Sequence, residues 1–229
     1  MGLTAGRGSA SSSTRRATPK SFALHHDLVP AAWGFDPGRP LFANLSGNYG
    51  YLEEGYYRSL DLEDAGEQVI PTTAEALDAY VVPVALALAA RHGLAVPSFE
   101  VVTDRFPTPP LMAYPINPFS SRAVRLDDRD AVEARRRGLT YTGKYAVLCQ
   151  QLPEGCRVDM LRVVLGSTDV PEYQSYAREL FACFRLPLMK ARVIVTSGAF
   201  ALSALEPLPW PALTPEERTR LEECGTWLD

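Results

Sequence analysis

The stretch LFANLSGNYGYLEEGYYRSLDLEDAGEQVIP, Leu41 to Pro71, decides the fold. Leu41 to Ser46 reads as a short buried strand, a turn rich in Gly, Asn and Tyr follows, and the pattern from about Glu53 to Ala65 predicts a helix closed by Gly66. Glu53 and Glu54 fall in its first turn, where the positive end of the helix dipole favours acids. Gln68 to Ile70 reads as a second strand stopped by Pro71. A strand, helix and strand within about 30 residues have the size of a right-handed parallel crossover.

Downstream, Thr72 and Glu75 have capping-box spacing, and Ala76, Leu77, Tyr80, Val81, Val84 and Leu88 follow at helical intervals up to Gly93. Pro83 either kinks this helix or opens a second one. Phe99 to Thr103 predicts a strand, and the five prolines between Phe106 and Phe119 predict an extended surface or covering loop. LDDRDAVEARRR, Leu126 to Arg137, places acids before bases, as a solvated helix does. Arg135 to Arg137 then complement a helix C-terminus. Tyr145 to Gln151 reads as a strand, whereas Met160 to Leu165 is helix or strand by pattern alone.

Tyr173, Tyr176, Ala177, Leu180, Phe181 and Phe184 share one face of a helix from about Pro171 to Phe184. Leu188 to Thr196 and Phe200 to Leu205, separated by SGA, predict a hairpin. Thr214, Pro215 and Glu217 open a last helix through Leu221 to Gly225. The expected class is α+β (α/β-like): a mixed sheet with an N-terminal β-α-β unit, a late β-hairpin and packed amphipathic helices. Residues 1–32 are expected to be a disordered, basic Ser/Arg-rich tail, and residues 33–229 a single domain.

Composition narrows function. With 46% hydrophobic and 22% charged residues over 229 positions the chain can bury a core without a disulfide or metal staple. Residues 1–26 carry +4 and the rest −8, and no dense basic stripe is present, which argues against nucleic acid. The Ala-rich run from Ala79 to Ala90 is too short for a membrane span and is broken by Pro83, so no membrane role is expected. Cys149, Cys156, Cys183 and Cys224 lack CxxC spacing, and with His25, His26 and His92 they make a poor zinc set, so reduced thiols in a cytoplasmic protein are expected, with no metal and no cofactor. Nucleotide and hydrolase motifs are missing, the lysines are Lys20, Lys144 and Lys190 alone, and no catalytic residue is assigned. His92 reads as a helix C-terminal cap.

One segment remains, SGNYGYLEEGYYRS from Ser46 to Ser59, with four tyrosines, an asparagine and an arginine around a strand-to-helix turn. Such turns bind ligands in open α/β sheets. The glycines permit close approach to helix N–H groups, and an arginine can hold a carboxylate by two hydrogen bonds. Asn48, Tyr49, Tyr51, Tyr56, Tyr57 and Arg58 are therefore the candidate ligand residues, the tyrosines lining a concave pocket with Arg58 reaching in. The structural alternative has Tyr56 and Leu60 packing on the sheet, Tyr49 and Tyr51 covering the strand edge, and Arg58 pairing with Glu54. An independent enzyme using tyrosine or Cys149 chemistry is a further, weaker alternative.

YLEEGYYRSLDLEDAGEQVIP, Tyr51 to Pro71, resembles the start of the domain that precedes RimK-like ATP-grasp ligases, and LGSTDVPEYQSYARELFACFRLPLMKARV, Leu165 to Val193, resembles its second half. The closing hairpin, the LEPLPW segment and the TPEERTRLEE helix extend the similarity over roughly Leu41 to Trp227. Asp61, Asp64 and Glu67 depart from the pattern, Glu67 standing where a histidine is usual. The resemblance implies an α+β domain ahead of a catalytic ATP-grasp module. Its functional implication is a non-catalytic accessory or substrate-binding domain acting with an ATP-grasp carboxylate-amine ligase, as domain or subunit, on an amino acid or peptide. The alternative is a free-standing small-molecule-binding or structural module without that partner.

Overall fold

The computed structural model describes residues 21–117 and 122–228. Its elements run β1 (Ser21–Leu24), β2 (Leu41–Ala43), α1 (Glu54–Asp64), β3 (Gln68–Ile70), α2 (Thr73–Tyr80), α3 (Val82–Arg91), β4 (Phe99–Val102), β5 (Leu111–Pro115) and β6 (Val124–Leu126). They continue with α4 (Arg129–Leu139), β7 (Val147–Gln151), β8 (Arg157–Val164), α5 (Gln174–Phe184), β9 (Leu188–Thr196), β10 (Ala199–Pro207), α6 (Pro215–Cys224) and β11 (Gly225–Leu228). The class is α+β. Instead of one mixed sheet, the strands among the described residues make three, ordered β11-β1-β2-β3, β4-β7-β5-β6 and β10-β9-β8.

The first sheet holds the β-α-β unit, with β2 and β3 parallel and Phe42 opposite Val69. It is mixed because β1 runs antiparallel to both β2 and β11. Residues 21–32 do not fit the expected tail: Phe22 and Leu24 are buried, and β1 pairs with β11 from Ser21 opposite Leu228 to Leu24 opposite Gly225. Two apolar residues at alternate positions suffice to dock a strand on a core face. Residues 1–20, the basic part of that tail, lie outside the described residues.

The second sheet departs furthest from expectation. The segment read as a proline-rich covering loop contains β5, buried at all five positions and paired on both sides, to β6 and to β7. Pro109 and Pro110 precede the strand and Pro115 ends it, leaving Leu111 to Tyr114 free to donate their backbone N–H groups. Proline count misled because the prolines bracket the strand. α4 begins at Asp128, whose side chain accepts the Ala131 N–H at 2.7 Å. Arg136 near its end bonds Asp104 at 2.9 Å.

In the third sheet β9 pairs along its length with β8 and β10, which resolves Met160 to Val164 as strand and leaves Leu165 in the turn that follows. α5 buries Tyr176, Ala177, Leu180 and Phe184 in the largest core, which also takes side chains from the second and third sheets and from α2 and α3. The capping box of α2 is present, and Pro83 sits at the start of α3. The two helices bend by 102° at extended Val81, which shifts the phase of the pattern. Ala76, Ala79, Val82, Ala85, Leu86 and Ala89 are buried, while Leu77, Val81 and Val84 stay more than a third exposed. Among the described residues no single helix is long and apolar enough to cross a membrane.

Candidate functional site

The turn after β2 is fixed from beneath by Asn44, which is buried. Its amide donates to the Gly55 carbonyl at 2.7 Å and to Ser59 Oγ at 2.9 Å, and its Oδ1 accepts from the Ser46 N–H and hydroxyl. The Ser59 hydroxyl donates on to the Pro71 carbonyl at 2.6 Å. One asparagine thus ties β2, α1 and the exit of β3 together, and every polar atom it buries is satisfied.

From above, the turn is stitched to the segment after β10. Leu208 N–H donates to the Gly47 carbonyl at 2.9 Å and Trp210 N–H to the Ser46 carbonyl at 3.4 Å. Gly47 has φ of +73°, and a Cβ there would strike the Leu208 carbonyl. Gly55 is as closely set against the Asn48 carbonyl. These two glycines allow two backbones to meet, and the contact carries Trp210 over the turn.

Between Trp210 and α1 lies a cavity of about 710 Å3. Leu45, Pro209, Trp210, Pro211 and Trp227 give it apolar walls, while Ser46, Asn48, Glu53, Glu54 and Arg58 supply one polar end. The indoles are held: Trp210 and Trp227 meet edge to face at 5.5 Å, Trp227 leans on Phe22 at 5.0 Å, and the Arg218 guanidinium sits 5.5 Å from the Trp210 ring. Partial burial lowers the Arg58 pKa and Glu54 opposes that shift, so the cation stands on the edge of the apolar space with an acid beside it.

A second cavity of about 380 Å3 lies on the other side of the same loop, against Tyr51, Tyr80, Tyr114, Asn117 and Glu206. Asn48 and Glu53 line both. Glu206 is bonded to Arg192 and lies 3.7 Å from Lys190. Below it the second and third sheets join through a closed polar seam. Tyr114 donates to Ser203 Oγ at 2.6 Å, Ser203 donates to Gln150 Oε1 at 2.5 Å, and Gln150 Nε2 donates to the Ser203 carbonyl at 2.6 Å. Burial pushes the Tyr114 phenol up to about 12.

The turn separates the six predicted residues. Asn48 and Arg58 line the large cavity, and Tyr51, a residue 64% exposed, lines the smaller one. Tyr49 does not line a pocket: it is fully buried, donates to the Asn44 carbonyl at 2.7 Å, and burial holds its phenol far above the usual range. Tyr56 and Tyr57 reach neither cavity and instead make edge contacts with each other, Tyr56 also with Tyr51. A turn cannot aim four rings one way when side chains leave it in different directions. Cys149 is equally unsuited to chemistry, being buried on β7 with its thiol pushed up to about 12. The sequence reading missed the indole wall. Trp210 stood in the LEPLPW segment, but nothing local linked it to Trp227 or to Arg58.

The family model described as RimK-like ATPgrasp N-terminal domain matches residues 129–224. It takes in the second block of the resemblance and leaves Tyr51 to Pro71 outside. No curated protein matches the sequence. Among solved structures, a RimK domain protein ATP-grasp from Sphaerobacter thermophilus is similar at 18% identity and TM-score 0.54, covering 73% of each chain. D-alanine-D-alanine ligase from Helicobacter pylori is similar at 14% identity and TM-score 0.56, covering 80% of this chain and 71% of that one. D-alanine–D-alanine ligase from Bacillus anthracis, complexed with ATP, is similar at 13% identity and TM-score 0.54, over 76% and 70%.

These likenesses establish a fold, and they correct the functional expectation. A domain that merely precedes a ligase would not extend over some seven tenths of ATP-grasp ligase chains. The accessory-domain reading and its free-standing alternative are set aside together.

Proposed function

We propose that the chain is itself a ligase of the ATP-grasp kind, joining the carboxylate of an amino acid or peptide to an amine, with its carboxylate substrate held in the large cavity. The supporting observation is a fold shared with ligases over most of both chains, combined with an apolar cavity that has Arg58 and Asn48 at its polar end. Arg58 holds a carboxylate in two hydrogen bonds and Asn48 supplies a further donor. The indoles and prolines exclude water, which would otherwise consume an activated carboxylate.

Such a reading requires a nucleotide and magnesium. Among the described residues no three His, Cys, Asp or Glu side chains gather as a metal cage. Magnesium at phosphate sites commonly needs only one or two carboxylates beside the phosphates and water. Glu206, in the second cavity, is suited to that part, with Lys190 and Arg192 beside it as cations for phosphate. Bound ATP would supply the phosphoryl group that activates the carboxylate. Because Asn48 and Glu53 border both cavities, a substrate in one lies beside a nucleotide in the other.

The test is incubation of the full chain with ATP, magnesium and pairs of amino acids and dipeptides, following ADP release and the mass of any amide product. ADP release that depends on the carboxylate partner, and that falls in Glu206→Gln, is expected. A folded chain that forms neither ADP nor amide with any pair overturns the proposal.

A further inference from the structure

The shape of the large cavity says more about what enters it than its polar end does. We infer that its ligand is an α-amino acid with a large apolar side chain, taken as a zwitterion, with the carboxylate on Arg58, the ammonium on Glu53 and Glu54, and the side chain against Trp210 and Trp227. This rests on the proposal that the cavity is a carboxylate site.

Size is the first argument. At about 710 Å3 the cavity has the size of pockets that take ligands much larger than alanine. Alanine would leave most of that space wet against apolar walls, whereas a leucine or phenylalanine side chain displaces water from surfaces that gain by losing it. Geometry is the second. The two indole planes meet at 85°, and Phe22 and Arg218 back them, so the corner is fixed before any ligand arrives and little ordering remains to be done on binding.

Charge is the third. The polar end carries both signs within one turn of α1: Glu53 and Glu54 at its start and Arg58 one turn later. A simple anion would meet two carboxylates there, and a simple cation would meet the guanidinium. An α-amino acid carries both charges on one carbon and suits both. Indole faces also tolerate a neighbouring ammonium.

The protein carries its own probes, since two of its three tryptophans line the cavity. The full chain, without nucleotide, is titrated with L-phenylalanine, L-leucine, L-alanine, L-phenylalaninamide and N-acetyl-L-phenylalanine, following tryptophan emission and, in parallel, heat. Phenylalanine and leucine should bind at least tenfold tighter than alanine, and both blocked derivatives at least tenfold weaker than phenylalanine. Arg58→Met should erase the preference for phenylalanine over its amide. Trp210→Phe, which keeps an aromatic wall, should weaken phenylalanine binding several-fold while the far-ultraviolet spectrum is unchanged.

Equal binding of alanine and phenylalanine, equal binding of acid and amide, or no calorimetric binding of any of the five overturns the inference. Because no nucleotide is present, selective binding without ligation would overturn the ligase proposal alone. Ligation with alanine as readily accepted as phenylalanine would overturn this inference and leave the ligase proposal standing.

Discussion

The seam between the second and third sheets and the cavity beside α1 are both places where polar groups meet an apolar interior, yet they are built in opposite ways. In the seam, Tyr114, Ser203 and Gln150 satisfy one another and leave no room. In the cavity, Asn48, Glu53, Glu54 and Arg58 gather at one end of a space that two indoles keep open. A polar cluster that closes on itself fixes a fold, because breaking it strands a buried group. One that borders an open apolar wall keeps a side turned to a space that a ligand can enter.

The comparison is tested most severely at the turn that carries the polar end of the cavity. Gly47→Ala should cost roughly 3 kcal/mol or more, since the added methyl meets the Leu208 carbonyl in a left-handed residue, and a fall in the urea midpoint would show it. Next is Glu217, 1% exposed, which receives two hydrogen bonds from Arg162 and closes the capping box of α6. Glu217→Ala should cost about 2 kcal/mol, less than a sealed pair would because Arg162 still reaches water.

The same group gives a pH dependence. Burial raises the Glu217 pKa, but the Arg162 hydrogen bonds and the Thr214 N–H outweigh it and hold the group below its ordinary value of 4.5. Its stabilising contribution is therefore complete above about 4.5 and disappears as acidification passes through the lower folded value. Thermal melts from pH 6 to pH 3 should show that loss in the parent protein and a flatter profile in Glu217→Gln.

Within the seam, Tyr114→Phe should cost on the order of 1 kcal/mol, because Ser203 and Gln150 keep each other satisfied when the phenol is removed. Smallest of all should be Arg58→Met, within roughly 0.5 kcal/mol of the parent in chemical denaturation. A large loss there would make the cavity a second seam and end the distinction.

Much of this architecture was legible in the chain. The crossover from Leu41 to Ile70, the capping boxes at Thr72 and Thr214 and the late hairpin follow from local pattern, since each is decided by neighbours within a few residues. β1 and β5 escaped for different reasons: the main partner of β1 lies far away, at Gly225–Leu228, and pairing at such separation leaves no mark on local sequence, whereas the prolines bracketing β5 read as loop. Of the candidate residues, Asn48 and Arg58 border the large cavity, Arg58 because helix register carries it one turn past Glu54. Tyr49 was misplaced because only the buried Asn44 carbonyl determines where its phenol points.

Trp227 belongs to the last strand and leans on Phe22 of the first, so the aromatic corner unites segments some two hundred positions apart. During vectorial synthesis that corner cannot exist until β11 leaves the ribosome, long after Arg58 has emerged. Ligand capture at this place would then wait on the docking of β11 against β1, the slow, long-range step of the topology.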